Sequence, residues 1–388
     1  LVVSESRLIY LDNNATTQPL PAVLETLRRC SWDCFANPGS RHAAGRKARQ
    51  ILEESRERFA GLLGSHPDEV IFTSGGTEAN NLAVLGRLNA GEPGVIVTTA
   101  GEHPAVLEAC HAATGRGHRI HFLRVDSAGR IDPSQIDALP WPDVRLVAVI
   151  LAHNETGVIQ DVSKLAAECG RNHVPLHLDA LQAVGKIPVN FRQLDAGSLA
   201  VGAHKFHGPR GVGALLLRRG DVLRPISFGG HQESDRRPGT ECVPLIAAMV
   251  TALERFVAEA DARIHRMTTL RDRLEAGLAE SCPPVVVNGR EAPRLPNTAN
   301  VAFPGVDGDA LLVALDLAGV ACSLGSACAS GSSEPAPALV AMNAPRDVLA
   351  SSIRFSLGID TTTEEIDAAV AITARLVQRM RSRAGAHS

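Results

Sequence analysis

No stretch of this sequence stays apolar long enough to span a bilayer, and its start lacks the basic, apolar and small-residue succession of a signal peptide. A soluble cytoplasmic protein is therefore the expectation. Basic blocks are also missing, and the net charge is −3. Neither nucleic acid nor an anionic membrane surface is an expected partner. The eight cysteines, Cys30, Cys34, Cys110, Cys169, Cys242, Cys282, Cys322 and Cys328, form no facing CxxC pairs, so no zinc site is expected. Without a secretion signal they read as free thiols in a reducing compartment, most of them small core residues. Internal repeats and low-complexity segments are absent. What is present is 388 residues, 45% hydrophobic and 21% charged, enough for a large domain with a smaller one attached.

Strand-like and helix-like segments alternate along the first two thirds of the chain. Apolar runs predict strands over 8–11, 69–73, 95–98, 120–125, 144–151, 176–178 and 211–217. Helical periodicity predicts helices over 21–29, 43–63, 103–110 and 162–169. Several strands are continuous apolar runs, as expected of a mostly parallel sheet covered on both faces. Ligands in such sheets sit at the carboxyl ends of the strands. Those ends carry Ser74 to Thr77, Gly101 to His103, His153 to Thr156, Asp179, and His204-Lys205. A long helical pattern from Val243 to about Glu280 reads as a connector. Beyond it, strands over 297–303 and 353–357, a helix over 308–317, a loop of small residues over 320–333 and a capping box at Thr362 to Glu365 predict a small α+β domain. The expected division is 16–260 for the large domain, and 1–15 with 261–388 for the small one.

Three features suggest chemistry. Ser74-Gly75-Gly76-Thr77 follows a strand and opens a helix, a shape that suits phosphate and equally an ordinary Ser- or Thr-capped turn. Asp179 ends a strand, where it could cap a helix or pair with a pyridinium N–H. Lys205 stands between an apolar run and the turn Gly208-Pro209-Arg210-Gly211. A lysine there can be a plain surface residue, or an amine dried enough to form a Schiff base.

The motifs around these residues resemble those of the class I cysteine desulfurases, fold-type-I pyridoxal-phosphate (PLP) enzymes of the aminotransferase class V group. The resemblance runs from Tyr10-Leu11-Asp12-Asn13-Asn14-Ala15-Thr16-Thr17 to Ile353-Arg354-Phe355-Ser356-Leu357-Gly358. It implies an α/β fold with a mostly parallel seven-stranded sheet and a small α+β domain. It implies Lys205 as the cofactor lysine, Asp179 on the pyridine nitrogen, and Gln182 and Asn154 near the ring oxygen. His103 stacks on the ring and shuttles protons. Gly76, Thr77 and His204 cup the phosphate, with Thr240 reaching it from the other subunit of a homodimer. Arg354, Asn154 and Asn13 belong to the substrate side. Gly325-Ser326-Ala327-Cys328-Ala329-Ser330-Gly331 resembles the catalytic-cysteine loop, with Cys322 as the rival nucleophile.

The implied reaction takes sulfur from L-cysteine. It leaves L-alanine and a persulfide on Cys328, which passes to an iron–sulfur scaffold or a thiolation enzyme. Selenocysteine lyase activity and a PLP-binding scaffold of low turnover are the alternatives. Three departures from the family pattern stand out. Gly202 replaces a phosphate-binding serine, Pro104 follows His103, and Pro335 and Pro337 stiffen the return leg of the cysteine loop.

Overall fold

The computed structural model describes residues 8–89, 91–324 and 336–385. The chain begins with β1 (Ile9–Tyr10), α1 (Pro21–Asp33) and α2 (Ala43–Leu63), the last stopped by Gly64 at φ +67°. Then come β2 (Val70–Thr73), α3 (Gly76–Leu88), β3 (Val95–Thr99), α4 (Pro104–Thr114), β4 (Arg119–Leu123) and β5 (Val144–Ile150). α5 (Ser163–Arg171), β6 (Leu176–Asp179), β7 (Ser198–Gly202) and β8 (Gly213–Leu217) complete the first part. Their strands form a seven-stranded sheet in the order β2-β8-β7-β6-β5-β3-β4. Every pairing from β7 to β4 is parallel, and β8 alone runs against its neighbours.

The apolar strands explain this arrangement. Every residue of β2, β3, β6, β7 and β8 is buried, because helices cover both faces of the sheet. With β2, β3, β5, β6 and β7 pointing the same way, residues 74–77, 101–103, 153–156, 179 and 203–205 all emerge at one sheet edge. That edge is where the sequence reading expected a ligand.

α6 (Val243–Ser281) is one helix of 39 residues, about 58 Å long at ~1.5 Å per residue. Its first half packs Ile246, Met249, Leu253 and Phe256 into the core of the large sheet. Its second half packs Leu270, Leu274 and Leu278 into a separate hydrophobic cluster. That second cluster lies against the antiparallel strands β9 (Val286–Val287), β10 (Thr298–Ala302) and β12 (Ser352–Ser356), in the order β12-β10-β9. α7 (Gly308–Leu317), the short α8 (Pro337–Ala341) and α9 (Arg346–Leu349), and α10 (Thr363–Gly385) complete this part. Thr362 and Glu365 make both hydrogen bonds of the expected capping box, at 3.0 and 3.2 Å.

Two local expectations change. Val320-Ala321, read as loop, forms β11 and pairs in parallel with β1. A two-residue pairing across more than 300 positions leaves no periodic signal. Pro337 does not stiffen a loop but opens α8, where its missing N–H costs nothing.

Candidate active site

Asp179 is the last residue of β6 and is 2% exposed. Its Oδ1 accepts the N–H of Leu181 at 3.0 Å and its Oδ2 accepts Asn80 Nδ2 at 2.8 Å. The other end of that amide fixes a tautomer. Asn80 Oδ1 faces His177 Nε2 at 2.9 Å, so Nε2 carries the proton, and His177 Nδ1 is left to accept from Ser198 Oγ at 2.9 Å. Burial pushes the His177 imidazole down to about 3, so it is neutral. Both donors to Asp179 are neutral groups, and a buried carboxylate so placed is suited to a cationic partner.

Lys205 is buried just past β7, in the single turn that follows it. Its Nζ donates to the carbonyls of Asn14 and Ala15 at 2.7 and 2.9 Å. Asn14 is a hub. Its carbonyl also accepts Gln182 Nε2 at 3.0 Å, and its Nδ2 donates to the Asn154 carbonyl at 3.1 Å and to Thr298 Oγ1 at 2.9 Å. Asn154 O accepts in addition from Arg354 Nη1 at 3.1 Å. Lys205, Gln182, Asn154 and Arg354, spread over two hundred positions of chain, thus meet around one turn.

Arg354, on β12, is 1% exposed. Asp12 Oδ1 holds its Nη2 at 2.7 Å, while its buried Nε has no hydrogen-bond partner among the described residues. A donor left this way invites an acceptor such as a carboxylate. Asn13 spends its Nδ2 on the Tyr10 and Ser356 carbonyls at 3.3 and 3.0 Å, so it braces the site instead of offering that amide to a ligand. A cavity of about 550 Å³ opens beside it, lined by Asn13, Thr16, Thr17, His207 and Arg210 among others. His103 is the N-cap of α4, its Nδ1 accepting Ala105 N–H at 3.1 Å. That bond places the ring proton on Nε2. Pro104 at the first helical position leaves this arrangement undisturbed.

The turn after β2 has no Ser or Thr cap. Gly75 is the N-cap of α3, at φ +155° and ψ −175°, a region open to glycine alone, and makes no side-chain bond. Gly76 is buried and tightly enclosed, since a Cβ there would stand 1.9 Å from Leu181 Cδ2. Thr77 is exposed. His204, in the turn after β7, has its Nδ1 3.2 Å from Thr16 Oγ1, and burial with help from Lys205 and Arg210 lowers it to about 4. An uncapped helix N-terminus with glycines suits phosphate. The residues present therefore fit PLP: an uncapped helix end for the phosphate, a braced Asp179 for the ring nitrogen and a buried amine for the aldehyde.

Thr240 lies on an exposed loop before α6. Cys328 lies outside the described residues. Cys322, its rival, is described: burial, reinforced by Asp12, pushes its thiol up to about 12. Roughly one molecule in 10⁵ would carry a Cys322 thiolate at pH 7, which argues against it as nucleophile.

Sequence reasoning missed Asn14, Asn80, His177 and Lys186 as site residues. Lys186 stands among apolar neighbours in sequence, the one available signal, whereas Asn80 sits beside Asn81 in a polar stretch that gave none.

Comparison with known proteins identifies the family. The aminotransferase class-V family matches residues 9–369. A cysteine desulfurase of Nostoc sp. is 41% identical over 376 residues, covering 97% of this chain and 94% of the relative. Among solved structures, a NifS-like protein superposes with a TM-score of 0.89 at 32% identity, covering 96% of this chain and all of that one. SspA, solved in complex with cysteine, gives a TM-score of 0.79 at 29% identity, covering 90% and 98%. This chain belongs to the aminotransferase class-V family and, within it, to the cysteine desulfurases.

Proposed function

We propose that this protein uses PLP to remove sulfur from L-cysteine, yielding L-alanine and a persulfide on Cys328. The sulfur then passes to an acceptor protein, an iron–sulfur scaffold or a thiolation enzyme. The observation that carries the proposal is the convergence of Lys205, Gln182 and Asn154 on Asn14, with Arg354 bonded to the same Asn154 carbonyl, beside a braced Asp179.

Bound at Lys205, the cofactor would supply an electron sink conjugated to the substrate Cα. The chain's residues do the rest. Arg354 takes the substrate carboxylate through its unpartnered Nε, with Asn154 alongside. Lys205, freed when substrate binds, removes the Cα proton. Asp179, held by Asn80 Nδ2 and the Leu181 N–H, is the carboxylate that would face the ring nitrogen of the bound cofactor. The Cys328 thiolate bonds to the substrate sulfur as the Cβ–S bond breaks. The bonding pair leaves with the carbon fragment, which takes up protons to become alanine. His103, whose Nδ1 accepts the Ala105 N–H and so leaves Nε2–H free to donate, is our candidate for proton exchange at the sulfur.

Thr240, exposed on its own subunit, is assigned to the phosphate of the partner subunit in a homodimer. The division at 15/16 and 260/261 is part of the same reading, supported by the two hydrophobic clusters that α6 joins. No described helix is long and apolar enough to cross a membrane, and we place the enzyme in the cytoplasm, where a thiol nucleophile stays reduced.

The test is peptide mass analysis after incubation of the PLP-loaded protein with L-cysteine. An added sulfur on Cys328, and none in Cys328→Ala, is expected. Alanine production undiminished in Cys328→Ala would overturn the assignment of the nucleophile.

A further inference from the structure

Lys186 is a second buried lysine in the site, 8% exposed, and the mechanism above does not use it. Gly185 puts it there. That residue sits at φ +79°, and a Cβ on it would stand 2.1 Å from Phe206 Cβ, so the turn after Gln182 is tight and closed to other residues. The turn brings the Lys186 side chain back beneath its own start. Its Nζ donates to Asn14 Oδ1 at 2.6 Å and to Gln182 Oε1. Both are neutral acceptors. Burial desolvates it, and Lys205 and Arg354 repel its charge, so its pKa falls well below that of an ordinary lysine. Such an amine costs folding energy, and a surface ion pair does not explain its presence.

The geometry explains it through Gln182. An amide can face either way, and its orientation follows from what each end meets. Here Oε1 meets Lys186 N–H and Nε2 meets the Asn14 carbonyl, the same carbonyl that holds Lys205. Flipping the amide would set its oxygen against the Asn14 carbonyl oxygen and its N–H against the lysine's N–H. We infer that Lys186 is a positioning residue, locking the Gln182 amide so that a nitrogen donor, and never the oxygen, faces the cofactor-ring side of the site. Its second bond, to Asn14 Oδ1, which also accepts Asn297 Nδ2 at 3.1 Å, ties that lock to the hub.

This inference rests on the reading of the pocket as a PLP site, and the experiment separates the two. Wild type, Lys186→Met, Gln182→Ala and the double variant are loaded with PLP. PLP affinity and the pH midpoint of the visible absorbance band are measured for each. Lys186→Met is expected to weaken PLP about tenfold and to move the band's midpoint, as loss of a hydrogen bond to the ring would. On the Gln182→Ala background the same substitution is expected to change neither. Urea unfolding of each cofactor-free chain confirms the fold; Lys186→Leu replaces Lys186→Met if that variant does not fold, and Lys186→Gln, which keeps a donor, is expected to bind PLP as the wild type does. Equal effects on both backgrounds, or no effect on either, overturn the role of Lys186. A wild-type protein with no visible band, or a band that survives Lys205→Ala, overturns the PLP reading itself.

Discussion

His177 predicts how this fold responds to acid. It lies two residues before Asp179 on β6, on the same face of the strand. Burial lowers its pKa from the ordinary 6.5 to about 3. The unfolded chain therefore binds a proton below about pH 6.5 that the native chain refuses until about pH 3. Stability carried by the neutral ring is complete above pH 6.5 and falls as pH drops through that window. Between pH 7 and pH 5 the loss from this one group is about 2 kcal/mol. His153, lowered to about 4 mainly by burial, adds a similar amount independently. The assay is urea unfolding of the cofactor-free chain at pH 7, 6 and 5, for wild type and His177→Gln. The variant is less stable at pH 7 but lacks the titrating ring, so its loss on acidification should be smaller by about 2 kcal/mol. The contribution of His153 is common to both and cancels. If the two proteins lose the same stability between pH 7 and pH 5, His177 is not held neutral by burial and the account of the Ser198–His177–Asn80–Asp179 chain fails.

Other substitutions probe the same physics. A Cβ at Gly202 would stand 3.4 Å from Leu181 Cδ2 and 3.6 Å from Gly76 N, ordinary contacts beside the uncapped α3 terminus. Gly202→Ser should restore a hydroxyl there and tighten PLP about fivefold, worth ~1 kcal/mol, by equilibrium titration; unchanged or weaker binding would count against the phosphate site. Asn80→Ala removes two buried hydrogen bonds, one to a carboxylate, and should cost about 2–4 kcal/mol in urea unfolding. Its effect should be non-additive with His177→Gln. Glu233 receives both terminal nitrogens of buried Arg56 at 2.8 Å, with that guanidinium 4.8 Å over the Phe72 ring. Glu233→Ala removes the bidentate partner of this charge, leaving it only Glu53 as a counter-charge, and unpairs the Phe72 N–H, and should cost about 3–5 kcal/mol, whereas a loss under 1 kcal/mol would show the pair to be solvated.

Much of the architecture was legible from local pattern. α2 and α7 have the bounds their periodicity implied, and the apolar strands stack into the expected parallel sheet. The strand ends that carry Asp179 and Lys205 were legible for the same reason: an apolar run that stops at a polar residue marks an edge. β11 was not, because its partner is β1 and a two-residue pairing has no periodicity to detect.

Residue order carried the sheet and marked Lys205 and Asp179 at strand ends, whereas Arg354 and the roles of all three came only with the resemblance to the cysteine desulfurases. Only the folded chain revealed how they are held. Asn14 links Lys205, through its backbone, to the Asn154 carbonyl that Arg354 also donates to, Asn80 braces Asp179 from another element, and Lys186 faces inward although most lysines face water. It also showed the Cys322 thiol pushed up by burial and by an Asp12 neighbour that no linear spacing records. Hydrogen-bond direction and desolvation depend on which atoms surround a group in space, and those atoms come from positions up to three hundred residues apart.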